Sequence, residues 1–357
     1  MTPSLHISSD CQDLVAKLKK ASCLVELAEL LEVPSSWLRY YLYVVNKSKE
    51  YSVFDIRKKS GGVRKIEAPL GSLKIVQRKI SQVLYAIHKS RYSSHGYLEN
   101  RSVKTNALCH TKKKYVLNVD IQDFFGSINF GRVRGVLIAK PYEINKDVAT
   151  MIAQLCTHEN HLPQGSPASP IISNMVCSRL DRHLEILAKK YKCFYTRYSD
   201  DITFSTTRLD MPEGLIRTVF EDDQEKKVCG DALLEVIESN GFQVNQKKVR
   251  LSSHSQRQVV TGLIVNEGVN VSRKQIREIR SILHSWRVYG LEVASKKYSK
   301  KYDSRPKFKV DREDTKSFFL SSLLGKIDWI GYIKGRESKV FTTFRNQYRN
   351  LLGSSEL

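Results

Sequence analysis

The sequence predicts a mixed α+β chain with an antiparallel hairpin at its centre, and three observations carry that reading. Helical and strand-like segments alternate through residues 116–265, with neither type dominating. The run CFYTRYSDDITFST (193–206) holds two β-rich stretches around an acidic turn. At 357 residues and 41% hydrophobic composition, with 9 Pro and 18 Gly, the chain can bury more than one core.

The elements follow in order. Asp10 can cap a helix beginning at Cys11, and Ser22 a second, CLVELAELLEV, which Pro34 stops. SWLRYYLYVV is apolar on most faces and should pack on something. YSVFDIRKKSGGVRKIEAP reads as two strands around Ser60-Gly61-Gly62, a hairpin with lysines at its tip. In LGSLKIVQRKISQVLYAIHKS, Leu73, Val76, Ile80, Leu84 and Ile87 recur at helical spacing, with Lys74, Arg78 and Lys79 on other faces. YVLNVDI (115–121) is a short strand, and INKDVATMIAQLCT and PASPIISNMVCSRLDRHLEILAKKY are helices. ALLEVIESNG is a helix closed by Gly241, and QVVTGLIVN another strand. In VSRKQIREIRSILHSWRVYG, Ile276, Ile279, Leu283 and Trp286 form an apolar stripe beside a second of Arg273, Arg277, Arg280 and Arg287, with His284 among them. SKKYSKKYDSRPKFK (295–309) reads as a basic surface insertion, and SFFLSSLLGKIDWIGYIKG as the core of the last region.

Charge narrows the function classes. The net charge is +22, and it is uneven: −1 over residues 1–46, +13 over 47–115, zero over 116–265 and +10 over 266–357. Two basic regions flanking a neutral centre suggest a polyanion held from two sides. The seven cysteines form no CxxC pair, so neither a disulfide framework nor a zinc ribbon is expected. The start MTPSLHISSDCQDLV lacks a basic and then apolar leader, and no run reaches 18 apolar residues. Secretion and membrane spanning are therefore not expected, and the reading places the chain in a reducing cytoplasm.

Chemistry concentrates in three carboxylates. Asp200 and Asp201 sit at the hairpin turn, and Asp120 ends the Tyr115–Val119 run. A DD pair alone reads more readily as a solvated turn. Carboxylates kept together and ionised normally hold hard divalent cations, since like charges otherwise raise each other's pKa. Two Mg²⁺ ions about 4 Å apart can stabilise both attacking and leaving oxygens of a phosphoryl displacement.

The surrounding blocks decide between the two. YSDD (198–201) resembles the YxDD signature of reverse transcriptases, with Ser199 where the family most often has Ala. APLGSLKIVQRKI, LNVDIQDFFGSI, LPQGSPASPIISN, GFQVNQKKVRL and VVTGLIV resemble that family's other blocks, in its order, over residues 60–265. Asn106-Ala107-Leu108-Cys109-His110 resembles the NAxxH motif of retron reverse transcriptases, and Val260-Thr261-Gly262 their VTG motif.

The resemblance implies a right-hand polymerase: an N-terminal helical segment (1–46), fingers (47–115, with 130–165 contributing to fingers and palm), a palm bearing the catalytic site (116–265) and a basic thumb (266–357). The 92 residues after Val265 hardly leave room for an RNase H or integrase domain as well. It implies an RNA-directed DNA polymerase that copies a structured noncoding RNA of the msr–msd type into msDNA. Priming would come from an RNA 2′-hydroxyl, with dNTPs as substrates, in anti-phage defence beside a separate effector. Asp120, Asp200 and Asp201 would hold two Mg²⁺, with Mn²⁺ as a substitute, Asp201 being the least direct of the three. Phe125 would pack against the nucleotide sugar and exclude a ribose 2′-hydroxyl; otherwise it is a core residue beside Phe124. Gln164 and Gly165 would border the new base pair, and Arg64 and Lys65, ahead of Lys58 and Lys59, would meet the triphosphate. Val260, Thr261 and Gly262 would form the primer grip. Asn106 and His110 would either contact RNA or hold a loop, and Arg273, Arg277, Arg280 and Arg287 would follow the groove of an A-like duplex by its backbone. Two other readings stand beside this one: a group II intron-like reverse transcriptase, and an RNA-binding scaffold with a vestigial site. NALCH, VTG and the lack of a long maturase domain count against the first; three costly acids count against the second.

Overall fold

The computed structural model describes residues 4–45, 47–57, 61–221, 224–303 and 315–353, so Lys58 and Lys59 lie outside the described residues. Packing divides the chain into two units, Met1–Ser102 with Lys114–Ser252, and Val103–Lys113 with Ser253–Leu357.

In the first unit, helix α1 (Cys11–Lys20) starts as expected, the Asp10 carboxylate accepting from the Asp13 amide at 2.8 Å. Helix α2 (Leu24–Leu30) corrects the expected cap: Cys23 is the N-cap, not Ser22. Glu26 reaches back to the Ser22 and Cys23 amides at 2.6 and 3.3 Å. A carboxylate in the first turn satisfies both donors, and the Ser22 hydroxyl itself donates to it. Helix α3 (Ser35–Arg39) runs into a π-helical turn (Tyr40–Val44) that buries Tyr41 and Leu42 and leaves Tyr43 and Val44 exposed.

Strands β1 (Tyr51–Arg57) and β2 (Val63–Pro69) form the expected hairpin, and its tip residues Gly61 and Gly62 both take positive φ. Helix α4 (Gly71–Ile87) buries Leu73, Val76, Ile80 and Leu84 as their spacing requires. Lys79 is a correction. It is buried as well, and its ammonium donates to the Glu32 carbonyl at 3.1 Å, so the charge is spent inside the fold.

Helix α5 (Val103–Leu108) belongs to the second unit. The chain then builds the central sheet. Strand β3 (Tyr115–Asp120) is followed by helices α6 (Phe130–Ile138), α7 (Lys146–Cys156) and α8 (Ser169–Lys190), then by β4 (Phe194–Tyr198) and β5 (Asp201–Thr206). A further hairpin of β6 (Ile216–Glu221) and β7 (Gln224–Cys229) leads to helix α9 (Asp231–Ser239) and strand β8 (Arg250–Ser253). The sheet order is β4-β5-β3-β8, with β5 antiparallel to both β4 and β3. Helix α8 packs on β4 and on α4, α6 and α9, which closes the core behind the sheet.

The second unit pairs β9 (Val259–Val260) with β10 (Leu263–Ile264). The expected single strand over QVVTGLIVN is therefore a tight hairpin, with Thr261 and Gly262 both left-handed at φ 45° and 83°. A two-residue turn of this hand demands positive φ at both positions. Helix α5 packs on this hairpin. Helices α10 (Arg273–Asp303), α11 (Thr315–Lys334) and α12 (Lys339–Gly353) follow. Ile279, Leu283 and Trp286 are buried, Trp286 meeting Phe319 and Tyr348 edge-on at 5.6 and 5.5 Å. Residues 295–303, expected as a surface insertion, instead continue α10 and bury Ser295 and Tyr298; residues 304–309 lie outside the described residues. Gly290 kinks that helix, with φ 76° and ψ 168°.

Candidate active site

The β3, β4 and β5 strands deliver the carboxylates to one end of the sheet. In the register, Asp201 stands opposite Asp120 on one side and Tyr198 on the other. The intervening turn places Ser199 at φ 61°, and the Asp200 carbonyl accepts from the Ile121 amide at 3.1 Å. Asp120 and Asp200 line one cavity of about 710 Å³, together with Arg64, Tyr97, Phe125, Gln164, Asn245 and Lys248. Asp201 is not among the residues that line it.

The carboxylates differ in their partners. Asp120 is 8% exposed and paired: its Oδ1 accepts from the Lys248 ammonium at 2.7 Å and its Oδ2 from the Asn245 amide at 3.3 Å. Burial, and then the charge of Asp120, pushes Asp200 above the ordinary carboxylate range. Desolvation, followed by the charges of Asp200 and Asp120, pushes Asp201 up to about 7, although part of its surface stays open to solvent. Such a site is short of positive charge and offers hard oxygen donors. That fits a divalent cation of the Mg²⁺ type, with Asp120 and Asp200 as the groups able to hold it.

The predicted nucleotide contacts separate. Phe125 is half-buried, stacked edge-on to the buried Phe124 at 5.2 Å, and one side of it lines the cavity. The Gln164 carbonyl accepts from the Glu67 amide at 2.8 Å, tying the LPQG turn to β2. Gly165 has φ 136°, and a Cβ there would lie 2.9 Å from the Glu67 carbonyl oxygen, so the close approach requires glycine. Arg64 is exposed and lines the cavity. Lys65 does not, because neighbouring strand residues point to opposite faces. Its ammonium instead sits 2.7 Å from Glu67 and 3.5 Å from Glu159. Glu67, His158 and Glu159 form a group of ligand-type side chains within 4.8 Å of one another, and Lys65 already supplies a cation to it. This group is separate from the aspartates.

In the second unit, Asn106 and His110 are fully buried, so in this conformation their side chains are out of reach of RNA. Val260 is buried too, and the Thr261 hydroxyl donates to the Val103 carbonyl at 3.1 Å, so the NALCH helix and the VTG turn pack as one piece. Arg273, Arg277, Arg280 and Arg287 are all exposed, beside the buried Ile279–Leu283–Trp286 stripe of α10.

Sequence reasoning missed Asn245, Lys248 and Tyr97. Asn245 and Lys248 lie three apart around a 3₁₀ turn (Gln246–Lys248), a spacing that eclipses side chains on one side. That signal was present in GFQVNQKKVRL. For Tyr97 no local signal exists, as it reaches the site from far along the chain.

The family model for reverse transcriptases (RNA-dependent DNA polymerases) matches residues 56–308. The retron Mx65 reverse transcriptase of Myxococcus xanthus is 34% identical over 284 residues, 72% of this chain and 62% of the relative. The retron Mx162 reverse transcriptase of the same organism is 32% identical, over 72% of this chain and 58% of its own length. The retron Ec86 reverse transcriptase of Escherichia coli is 29% identical, over 72% of this chain and 76% of its own. The chain spans about three fifths of the length of the two Myxococcus relatives it matches.

Proposed function

The chain belongs to the reverse transcriptase family, and from that premise we propose that it is a retron-type RNA-directed DNA polymerase. The observation that carries the activity is the shared cavity, which brings Asp120, Asp200, Phe125, Gln164 and Arg64 together from four separate stretches of chain. Asp120 and Asp200 hold divalent cations, Mg²⁺ or in its place Mn²⁺, and Asp201 supports them. Bound there, the ions neutralise charge on the triphosphate and activate the primer hydroxyl.

The chain's own residues do the remaining work. Arg64 offers a guanidinium fork to the triphosphate, and Phe125 presents its ring edge to the sugar. Gln164 and Gly165 border the new base pair on a turn held by β2. Lys248 pairs with the Asp120 carboxylate and balances its charge, and its ammonium would have to give way where Asp120 holds a divalent cation. Val260, Thr261 and Gly262 form the primer grip, with Asn106 and His110 as its buried support. Arg273, Arg277, Arg280 and Arg287 hold the template–primer duplex through its phosphates.

The retron reading adds a template and a product. The template is a structured noncoding RNA of the msr–msd type, the primer an internal 2′-hydroxyl of that RNA, and the product msDNA made from dNTPs. Anti-phage defence with a separate effector protein, in the cytoplasm, completes it. Its support is the retron names of the relatives and the NALCH and VTG motifs. Among the described residues no helix is long and apolar enough to cross a membrane.

Primer extension on an RNA template with Mg²⁺ tests the activity, and nucleic acid co-purified with the protein tests the retron reading. The expected product is DNA joined to RNA through a 2′–5′ branch, separable by a debranching enzyme. Active extension on added primers with no branched product would move the intron-like alternative ahead.

A further inference from the structure

Behind the Ser199–Asp200 turn lies a charge pair for which the reaction has no evident use. Arg197 is fully buried and Asp181 is 1% exposed. The guanidinium grips both carboxylate oxygens, at 2.7 Å from Nε and 2.8 Å from Nη2, and the Tyr195 hydroxyl donates to the same carboxylate at 2.7 Å. A buried pair is weak evidence of added stability, because apolar groups of similar volume often serve a core as well. A guanidinium adds directed donors. Here Nη1 donates to the carbonyl of Ser199 at 3.0 Å, while Nη2 also reaches Asn174 Oδ1 at 3.1 Å.

A second segment, residues 93–97, bears on the same turn. It runs along β4, with the Arg197 amide donating to the Ser93 carbonyl and the His95 amide to the Arg197 carbonyl, both at 2.8 Å. Asn174, which accepts from Arg197, also donates to the Gly96 carbonyl at 2.8 Å. At Gly96 there is no room for a side chain: a Cβ would lie 2.6 Å from the Ser199 nitrogen and 3.3 Å from the Tyr198 carbonyl carbon. The Tyr97 and Ser199 hydroxyls share a hydrogen bond at 2.9 Å. The residue held from these directions has φ 61°, a conformation that costs a non-glycine residue energy and persists only where its surroundings enforce it.

We propose that Arg197, Gly96 and Tyr97 are positioning residues that fix the left-handed Ser199 peptide, and through it Asp200, for catalysis. The Ser199 carbonyl and the Asp200 amide belong to one planar peptide, so holding that oxygen sets where Asp200 leaves the turn. Gly96 sets the depth of the turn, Arg197 its tilt, and Tyr97 the Ser199 side chain. The inference rests on the polymerase reading above.

Gly96→Ala is the sharpest test, since it leaves every charge and hydrogen-bonding group in place. Arg197→Lys keeps the charge and removes the fork, and Tyr97→Phe removes one hydroxyl. On the full chain, the measurements are Tm, RNA affinity, kcat and dNTP KM on a primed RNA template, and Mn²⁺ affinity by electron paramagnetic resonance without turnover. Gly96→Ala should keep the RNA affinity of the wild type and lower Tm by a few degrees, because the added Cβ must displace the Ser199 backbone. Its kcat should fall by roughly 10–100-fold, the scale of a misplacement of about 1 Å, with KM within about twofold, and Mn²⁺ should bind more weakly. Tyr97→Phe should move the same quantities less. Unchanged kcat and Mn²⁺ affinity in Gly96→Ala would overturn the proposal. So would a loss of activity that only tracks a lowered Tm while Mn²⁺ affinity per folded molecule stays constant. A wild type that binds Mn²⁺ yet extends no primer sinks the polymerase reading instead, and the Mn²⁺ comparison still decides the positioning role.

Discussion

At the residue scale, the site splits into side chains that a local motif announces and side chains that only folding recruits. Asp120, Asp200, Phe125, Gln164 and Arg64 each sit in a short recognisable block, and the structure gathers all five at one cavity. Tyr97 reaches it from distant chain and Arg197 acts from behind it, so neither was legible, whereas Lys248 was signalled only by its spacing from Asn245 in GFQVNQKKVRL. Burial was the harder quantity to read: Lys79 looks like a surface residue in sequence and is an interior one, and His110, open to either a loop-holding or an RNA-contacting role, is interior too. Two predictions belong here. Asp120→Asn or Asp200→Asn should abolish extension while sparing RNA binding, since losing a cation ligand forfeits on the order of several kcal/mol of charge stabilisation and each ~1.4 kcal/mol is tenfold in rate. Near-normal extension by either variant at saturating Mg²⁺ would remove that residue from the site. Phe125→Val should open space at the sugar 2′ position and admit ribonucleotides, with deoxynucleotide use reduced less. The ratio of kcat/KM for the two sugars is the measure. An unchanged ratio would make Phe125 a core residue beside Phe124.

Elements were legible wherever periodicity and caps were strong. The β1–β2 and β4–β5 hairpins, α4, α8 and the buried face of α10 fall where alternation or helical spacing put them. The β6–β7 hairpin escaped because charged residues such as Arg217, Lys226 and Lys227 interrupt its β-rich stretches. The β9–β10 turn escaped because only Thr261 and Gly262 interrupt the apolar run, and an isolated Gly inside a strand pattern is a weak turn signal. The residue 93–97 segment has no regular structure to read, yet it carries a pH signature. His95 is 1% exposed, and burial, reinforced by the charge of Arg101, pushes it down to about 4 from an ordinary 6.5. Between those values the unfolded chain binds a proton that the folded chain refuses, so stability falls as pH drops from 6.5 towards 4. At about 1.4 kcal/mol per unit the loss is on the order of 3 kcal/mol. Urea unfolding across that range should therefore show a shallower decline for His95→Gln than for the wild type. Parallel curves would mean that His95 titrates alike in both states.

For the whole molecule the informative quantity is charge, which composition gives in full and the fold redistributes. The net +22 cannot select one transcript, because phosphates look alike along any RNA; selection needs shape or exposed bases. What charge does control is the strength and salt dependence of binding. Each phosphate neutralised contributes a log–log slope of roughly −0.7 to −0.9. Not every basic residue is available for that. Lys79 is buried, Arg197 is spent on Asp181, and Lys65 is held by Glu67 and Glu159. Arg273, Arg277, Arg280 and Arg287 are exposed, and no ion pair holds any of the four among the described residues. Replacing these four with alanine should therefore weaken RNA binding across unrelated sequences alike and flatten the salt slope by up to about 3, while Tm stays near that of the wild type because the buried stripe of α10 is untouched. Binding isotherms from low to moderate salt measure this directly. If affinity drops with the slope unchanged, the arginines act through something other than phosphate contact. If only one RNA loses affinity, they read shape or sequence, and selection then lies in α10 itself.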